Sequence, residues 1–152
     1  MINLELLKEE IKKEEGVVYK IYNDHLGYKT FGVGHLCLST DPENDMEVGT
    51  KVSEERVDEC FANDLQIAIG DAEVFCKDIN IDENAKECIV HMVFQLGLTR
   101  LNKFVKFKKA LQENNIQEAM NQMKDSKWYT QTTNRANRLI EKMSKSISKE
   151  NV

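Results

Sequence analysis

Hydrophobic residues recur every three or four positions at the start of the chain, where Leu4, Leu7 and Ile11 are separated by Glu and Lys. This spacing places the three side chains on one face and predicts an amphipathic helix. Gly16 follows the last charged residues, and glycine is a common residue just beyond a helix C-terminus. The pattern therefore predicts a first helix that ends near Glu15.

The next segment has the composition of a β-hairpin. Residues 17–22 and 28–33 are rich in β-branched and aromatic side chains, which are enriched in strands. Between them, residues 23–27 are polar and end in Gly27, which favours a hairpin turn. Residues 41–50 are polar and irregular, and they predict a loop.

A long helix is predicted to begin after Ser53. This residue is a candidate N-cap, because Glu54 and Glu55 follow it in the first turn. The apolar stripe of this helix consists of Val57, Cys60, Phe61, Leu65, Ala68 and Ala72. A second stripe ends at Gly97 and consists of Ala85, Cys88, Ile89, Met92, Val93 and Leu96. Both stripes have the spacing of buried helix faces.

The rest of the chain carries only helical patterns. Short ones cover residues 104–111 and 116–123, and a last one begins at about Thr133. A helix, a small β segment and then helices alone predict an α+β fold with a segregated small sheet.

The composition describes a folded, acidic chain. Hydrophobic residues make up 41% of 152 residues, and that length predicts one domain. The chain has 21 basic against 26 acidic residues and a formal net charge of −5, whereas nonspecific nucleic-acid binders normally have a basic excess.

Apolar runs in the sequence are far shorter than the ~18 residues of a membrane span. Because acidic residues occupy the N-terminal segment, we expect no signal peptide.

The four cysteines are expected to be reduced thiols. None forms a C-x-x-C pair, which disfavours a zinc site. Cys60 and Cys88 lie on the apolar stripes, so we expect them to pack in the core.

Two carboxylates, one just before the predicted hairpin and one in its turn, are the first candidates for chemistry. Glu15 ends the first helix, and Asp24 lies in the predicted turn. Glycoside hydrolysis requires one carboxyl group that donates a proton and a second that is ionised. A chain with 26 acidic residues contains many such pairs, so the spacing alone favours two solvated carboxylates.

Three motifs change that interpretation. Residues 14–36 contain Glu-Glu-Gly, then Lys-Ile-Tyr-Asn-Asp, then Gly-Tyr-Lys-Thr-Phe-Gly-Val-Gly-His-Leu. Residues 92–97 read Met-Val-Phe-Gln-Leu-Gly, and residues 126–136 read Ser-Lys-Trp-Tyr-Thr-Gln-Thr-Thr-Asn-Arg-Ala. In this order, the motifs resemble those of the T-even phage lysozymes, and the resemblance extends from the first helix to about Ile140.

The resemblance implies a lysozyme-like fold in which a small N-terminal β lobe is joined by a long helix to a larger all-helical lobe. The small lobe would comprise residues 15–52 and the connecting helix residues 53–73. The helical lobe would comprise residues 1–14 and 74–152, so that the first helix packs on it. The whole chain, residues 1–152, would be a single lysozyme domain.

Catalytic roles follow from the resemblance position by position. Glu15 matches the general acid, Asp24 the second catalytic carboxylate, and Thr30 the hydroxyl residue that helps place the attacking water. The resemblance also pairs His35 with Asp64 on the connecting helix, which would tie the small lobe to that helix. In the third motif, Arg135 would lie beside the general acid.

The resemblance implies substrate contacts as well. Leu36, Phe94 and Gln95 match positions that line the family's cleft. Phe107 and Gln122 align with two further sugar-contacting positions, but their residue types differ from those of the family.

Charge is the main departure from the family. The T-even enzymes are markedly basic, which suits an anionic cell wall, whereas this chain is acidic. Arg100 and Lys103 place cations in a loop that is smaller and more neutral in the relatives. We therefore expect a different rim of the cleft.

The implied function is that of a phage endolysin. It would hydrolyse the β-1,4 bond between N-acetylmuramic acid and N-acetylglucosamine with inversion, as a monomer and without a cofactor or metal. It would be made in the host cytoplasm and reach the bacterial peptidoglycan through a separate membrane pore, with no membrane insertion and no nucleic-acid partner. Two alternatives stay open: a lytic transglycosylase, which uses one Glu and no water, and a glycan-binding module without turnover.

Overall fold

The protein is mostly helical and carries one small sheet. The computed structural model describes the backbone of residues 2–150 and the side chains of residues 2–146. Within that part of the chain, the helices are α1 (Leu4–Glu15), α2 (Glu54–Phe75), α3 (Glu83–Leu96), α4 (Leu98–Leu101), α5 (Val105–Gln112), α6 (Ile116–Lys124), α7 (Lys127–Gln131) and α8 (Thr133–Glu150). The strands are β1 (Val18–Asn23), β2 (Lys29–Gly32) and β3 (His35–Leu36), and Pro42–Asp45 form one turn of 3-10 helix. This architecture confirms the predicted α+β fold.

The chain forms two compact units. One unit is Lys8–Ile67, and the other comprises residues 1–7 and 68–152, of which residues 1, 151 and 152 lie outside the described residues. The finer division into a lobe of residues 15–52, a connecting helix of residues 53–73 and a helical lobe of residues 1–14 and 74–152 stays a prediction.

The unit of residues 8–67 contains the sheet. Its three strands are antiparallel in the order β1-β2-β3, with Tyr22 opposite Thr30 and Phe31 opposite His35. The predicted hairpin is therefore present. Side chains from α1, the sheet and α2 form the core of this unit, and they include Ile11, Ile21, Phe31, Val57 and Leu65.

Local capping explains where α2 and α3 begin. The Ser53 hydroxyl accepts a hydrogen bond from the amide of Arg56 at 3.1 Å, which confirms the predicted N-cap of α2. At the start of α3, the Asp82 carboxylate accepts from the amide of Ala85, also at 3.1 Å. Gly97 ends α3 with a φ of 84°, a conformation that glycine adopts without steric cost.

The apolar stripes form the core as predicted, except that Leu96, the last residue of the α3 stripe, is only half-buried. All six residues of the α2 stripe are buried, as are Ala85, Cys88, Ile89, Met92 and Val93 of the α3 stripe. In the unit of residues 1–7 and 68–152, which we call the helical unit, α3 packs on α8, and α6 packs on α5 and α8. Among the described residues, no helix combines the length and apolarity that crossing a bilayer requires.

Candidate active site

Glu15 lies at the C-terminal end of α1 and is half-buried. Two glycines shape its surroundings. Gly16 has a φ of 75° and ends the helix, and Gly34, with a φ of 64°, lies beside the Glu15 side chain. A Cβ atom at Gly34 would stand 3.3 Å from Glu15 Oε1. Glycine therefore lets the backbone after β2 approach this carboxylate closely.

Asp24 is fixed by the turn between β1 and β2. Its Oδ1 atom accepts hydrogen bonds from the amides of Leu26 and Tyr28, each at 2.9 Å. An aspartate that bonds to its own turn in this way is a common turn-forming residue. Since Oδ1 is engaged by the backbone, Oδ2 is the oxygen that a ligand or water would meet.

Thr30 lies on β2 opposite Tyr22 of β1 and is only 5% exposed. Its hydroxyl donates a hydrogen bond to the Tyr28 carbonyl at 3.0 Å. Because that bond uses the hydroxyl proton, the oxygen lone pairs of Thr30 are available to accept a hydrogen bond from a water molecule.

Tyr22 connects the two candidate carboxylates electrostatically. Burial raises the pKa of the Tyr22 phenol above its ordinary value, and the negative charges of Glu15 and Asp24 raise it further. The negative charges of both carboxylates therefore raise the pKa of the same phenol on β1, although the two residues belong to different elements of the chain.

His35 is held between two carboxylates. Its Nδ1 atom lies 2.7 Å from Asp64 Oδ2 on α2, the partner that the resemblance implies, and its Nε2 atom lies 2.7 Å from Asp41 Oδ2. The hydrogen bond with Asp64 is the main reason that the pKa of His35 is raised above its ordinary value, although burial opposes the shift. Asp41 raises this pKa further, because only the imidazolium can donate from both nitrogens.

Arg56, also on α2, extends this contact into a larger charged network. Arg56 donates to Asp41 at 3.2 Å and to both carboxylate oxygens of Glu43, at 2.8 and 3.0 Å. Burial would raise the pKa of Asp41, but the hydrogen bonds from Leu38 and His35 and the charge of Arg56 hold it below its ordinary value. The hydrogen bond from Arg56 also lowers the pKa of Glu43.

Sequence reasoning missed this network. The only local signal was the Asp41-Pro42 pair within a segment that was predicted to be a loop. Nothing in the spacing of Asp41, Glu43 and Arg56 indicates that the three side chains meet.

The remaining predicted site residues are divided between the two units. Leu36 is 49% exposed on β3, in the unit that contains Glu15, Asp24, Thr30, His35 and Asp64. The other unit contains Phe94, Gln95, Phe107, Gln122 and Arg135.

In the helical unit, a direct contact joins two of the recognised motifs. The indole Nε1 of Trp128 donates to Gln95 Oε1 at 2.9 Å, and Trp128 itself is 2% exposed. Phe107 and Gln122 line one cavity of about 460 Å³. Phe107 is nevertheless 1% exposed, so neighbouring residues cover almost all of its side chain.

Comparisons with known proteins agree with the motifs. The family model "Phage lysozyme" matches residues 12–145. A probable T4-type lysozyme 2 from Dictyostelium discoideum is 31% identical over 88% of this chain and 91% of that protein.

Two phage proteins are similar over a smaller share of their own length. The pre-baseplate central spike protein Gp5 of Enterobacteria phage T4 is 28% identical over 88% of this chain and 26% of that protein. The peptidoglycan hydrolase gp36 of Pseudomonas phage phiKMV is 28% identical over 90% of this chain and 15% of that protein. Because the family model matches most of the chain and the Dictyostelium discoideum protein is similar over most of both chains, this chain belongs to the phage lysozyme family.

Proposed function

We propose that this lysozyme-type glycoside hydrolase cleaves bacterial peptidoglycan at the β-1,4 bond between N-acetylmuramic acid and N-acetylglucosamine. The main support is that Glu15, approached closely by Gly34, and Asp24, fixed by two turn amides, lie in the segment that the phage lysozyme family model matches. A hydrolase that uses two carboxyl groups needs them near one another but separate. The printed name of the phiKMV relative supports peptidoglycan as the substrate class.

Glu15 is the general acid of this proposal. In its protonated form it donates its proton to the glycosidic oxygen while the bond between that oxygen and the anomeric carbon breaks. Gly34 keeps backbone close to one face of the carboxyl group, which limits the positions that the side chain can adopt. Arg135 would assist from α8, as the resemblance implies.

Asp24 and Thr30 activate the water molecule. The water donates one hydrogen bond to the Thr30 oxygen, whose own proton is committed to the Tyr28 carbonyl. It donates the other to Asp24 Oδ2, which removes that proton as the water oxygen bonds to the anomeric carbon. The two amide bonds to Oδ1 keep the carboxylate oriented during this step.

This arrangement corresponds to inversion. The water attacks the face opposite the departing oxygen, and inverting enzymes therefore hold their carboxyl groups roughly 6.5–9.5 Å apart.

The proposed substrate contacts are Leu36, Phe94, Gln95, Phe107 and Gln122. The protein would act on the wall after it leaves the cytoplasm through a membrane pore.

Replacement of the proton donor tests the proposal. Glu15→Gln keeps the shape of the side chain and removes the acid, so we expect clearing of purified cell walls to slow by at least ~10²-fold. Glu9→Gln changes an exposed residue of the same helix and serves as the matched control, with unchanged activity expected. Near-normal clearing by Glu15→Gln, with the thermal unfolding midpoint unchanged, would contradict the assignment.

The anomeric configuration of the first product separates the alternatives. We expect proton NMR, recorded before mutarotation, to show the α anomer at the new reducing end, because inversion acts on a β linkage. Initial release of the β anomer would make Asp24 a nucleophile. An anhydro product would select a transglycosylase, and wall binding without any new reducing ends would select a glycan-binding module.

A further inference from the structure

A single carboxylate oxygen closes the turn at the end of β3. Asp41 Oδ2 lies 2.7 Å from Nε2 of His35 and accepts a hydrogen bond from the Leu38 amide at 2.9 Å, while the Asp41 amide donates to the Leu38 carbonyl at 3.0 Å. We call residues 36–41 the Asp41 turn. Because one oxygen bonds on both sides of Leu36, the position of the Asp41 carboxylate fixes the backbone that carries Leu36.

Leu36 shares a face of the sheet with the proposed catalytic hydroxyl. It pairs with Thr30 across β2 and β3, and the side chains of directly paired residues lie on the same face of a sheet. About half of the Leu36 side chain is exposed. It therefore offers apolar surface to a ligand that lies against the face of Thr30.

The contacts of His35 require its charged form. Its Nδ1 atom lies 2.7 Å from Asp64 Oδ2 on α2, and its Nε2 atom lies at the same distance from Asp41 Oδ2. An imidazolium donates from both nitrogens, whereas a neutral imidazole has one N–H and one lone pair. Loss of the proton therefore leaves a nitrogen lone pair directed at a carboxylate oxygen, which is a repulsive contact.

The repulsion acts on the Asp41 side of the ring. Asp64 belongs to the regular helix α2, and its hydrogen bond is the main reason that the pKa of His35 is raised, so the remaining proton stays on Nδ1. Asp41 lies in an irregular segment just before the 3-10 turn, and such a segment opens at lower cost than a helix. Because the Leu38 amide bonds to the same Oδ2 atom, displacement of this oxygen is passed to the Asp41 turn.

The other titratable groups around the Asp41 turn keep their charge while His35 titrates. Arg56 is a permanent cation, and its hydrogen bonds to Glu43 hold the pKa of that carboxyl group below its ordinary value. Burial raises the pKa of the Cys37 thiol and raises that of Cys60 to about 11. Both thiols are therefore neutral where a histidine titrates, and His35 is the group whose proton controls this turn.

We propose that Asp41 is a positioning residue for substrate binding, which holds Leu36 against the sugar chain only while His35 is protonated. The inference rests on the proposed function, because it takes Leu36 as a substrate contact, and it adds a pH-controlled step to binding. It leaves the proton transfers of Glu15 and Asp24 unchanged, so its signature is a change in KM and not in kcat.

The kinetic test compares the parent, Asp41→Asn and Asp45→Asn on soluble peptidoglycan fragments between about pH 5.5 and about pH 9. For the parent, KM should rise about threefold or more as His35 loses its proton, because affinity falls with the fraction of molecules whose turn is held. The midpoint of this rise should equal that of the His35 ring in proton NMR. Asp41→Asn should show the high KM at every pH, with a kcat within about twofold of the parent.

Asp45→Asn is the matched control, because Asp45 is exposed in the neighbouring 3-10 turn and its variant should reproduce the KM profile of the parent. Thermal unfolding checks that each variant is folded, and the profile of the parent needs no variant. A parent KM that stays constant through the His35 titration would overturn the proposal, as would an Asp41→Asn variant that keeps the rise.

Hydrogen exchange of the Leu38 amide tests the hold without any substrate. Its protection factor in the parent should fall about threefold or more across the His35 titration. The Ala85 amide, which donates to the Asp82 carboxylate at 3.1 Å, is the control and should keep its protection. Constant protection of Leu38 would overturn the proposal even if cell walls are cleared, whereas falling protection in a protein that clears no walls would contradict the proposed function.

Discussion

Replacement of Asp41 by Asn tests whether His35 is held as an imidazolium between two carboxylates. The His35 ring is 6% exposed and the Asp41 side chain 13% exposed, so water screens their contact only weakly. Their atoms are 2.7 Å apart, a normal length for a hydrogen bond between charged groups. The Asp41→Asn replacement keeps the approximate shape of the side chain and removes its charge.

The magnitude follows from the kind of bond that is lost. Hydrogen bonds to charged groups contribute about 1.5–3 kcal/mol, and neutral ones about 0.5–1.5 kcal/mol. A double-mutant cycle of Asp41→Asn with His35→Gln should therefore give a coupling of about 1.5–3 kcal/mol when both groups are charged. It should fall to about 1 kcal/mol or less when His35 is neutral.

The pH dependence has a definite sign. The pKa of His35 is raised on folding, so its contribution is complete below the unfolded pKa and is lost as pH rises through the folded pKa. The pKa of Asp41 is lowered, so its contribution is present above the unfolded pKa and is lost as pH falls through the folded pKa. The coupling is therefore largest between the two ordinary values, about 3.9 and about 6.5.

Urea unfolding of the four proteins of the cycle, at about pH 5.5 and about pH 9, measures this coupling. Asp45→Asn is the matched control, because Asp45 is exposed in the same 3-10 turn and should couple to His35 by less than about 0.5 kcal/mol. A coupling that is equal at both pH values, or that grows with pH, would refute the imidazolium assignment.

Two further predictions concern a close approach of the backbone to Glu15 and a buried ion pair. Gly34→Ala should reduce activity about tenfold or more, because its Cβ would lie 3.3 Å from Glu15 Oε1. The control is Gly49→Ala, at a position with a φ of 97° and open space around it, which should lower stability by about 1–2 kcal/mol and leave wall clearing unchanged. Equal activity of the two variants would contradict this prediction. Lys142→Met should cost about 3–5 kcal/mol in urea unfolding, since the ammonium lies 2.9 Å from Glu87 in an interior position. The double replacement with Glu87→Leu should recover most of that loss, and the absence of recovery would mean that the pair does not act as a unit.

Long-period patterns were the most predictable part of the fold. The stripes of α2 and α3 repeat over several turns, so burial of one face explains most of their residues. Helices α4 and α7 have four and five residues, which is too short for a periodic stripe. The cap of α7, in which the Ser126 hydroxyl accepts from the amide of Tyr129, was the signal that a search for N-caps would have found.

The candidate site was predictable to the extent that it is local. Glu15 before a glycine and Asp24 in a polar turn can be placed from neighbouring residues alone. The approach of Gly34 to Glu15 depends on how the hairpin folds back on α1, and the contact between Asp41 and His35 depends on a loop without periodicity. Such contacts are set by tertiary packing, which local propensity does not encode.

The alkylation rates of the buried thiols can report how often the surrounding core opens. Burial raises the pKa values of Cys60 and Cys76 to about 11, and Cys88 is fully buried, so an alkylating reagent at neutral pH reaches these thiols only when the surrounding structure opens. Cys60 lies in one compact unit, and Cys76 and Cys88 lie in the other. Mass-resolved rates of alkylation would then time the opening of each unit separately in the unmodified protein, without any introduced label.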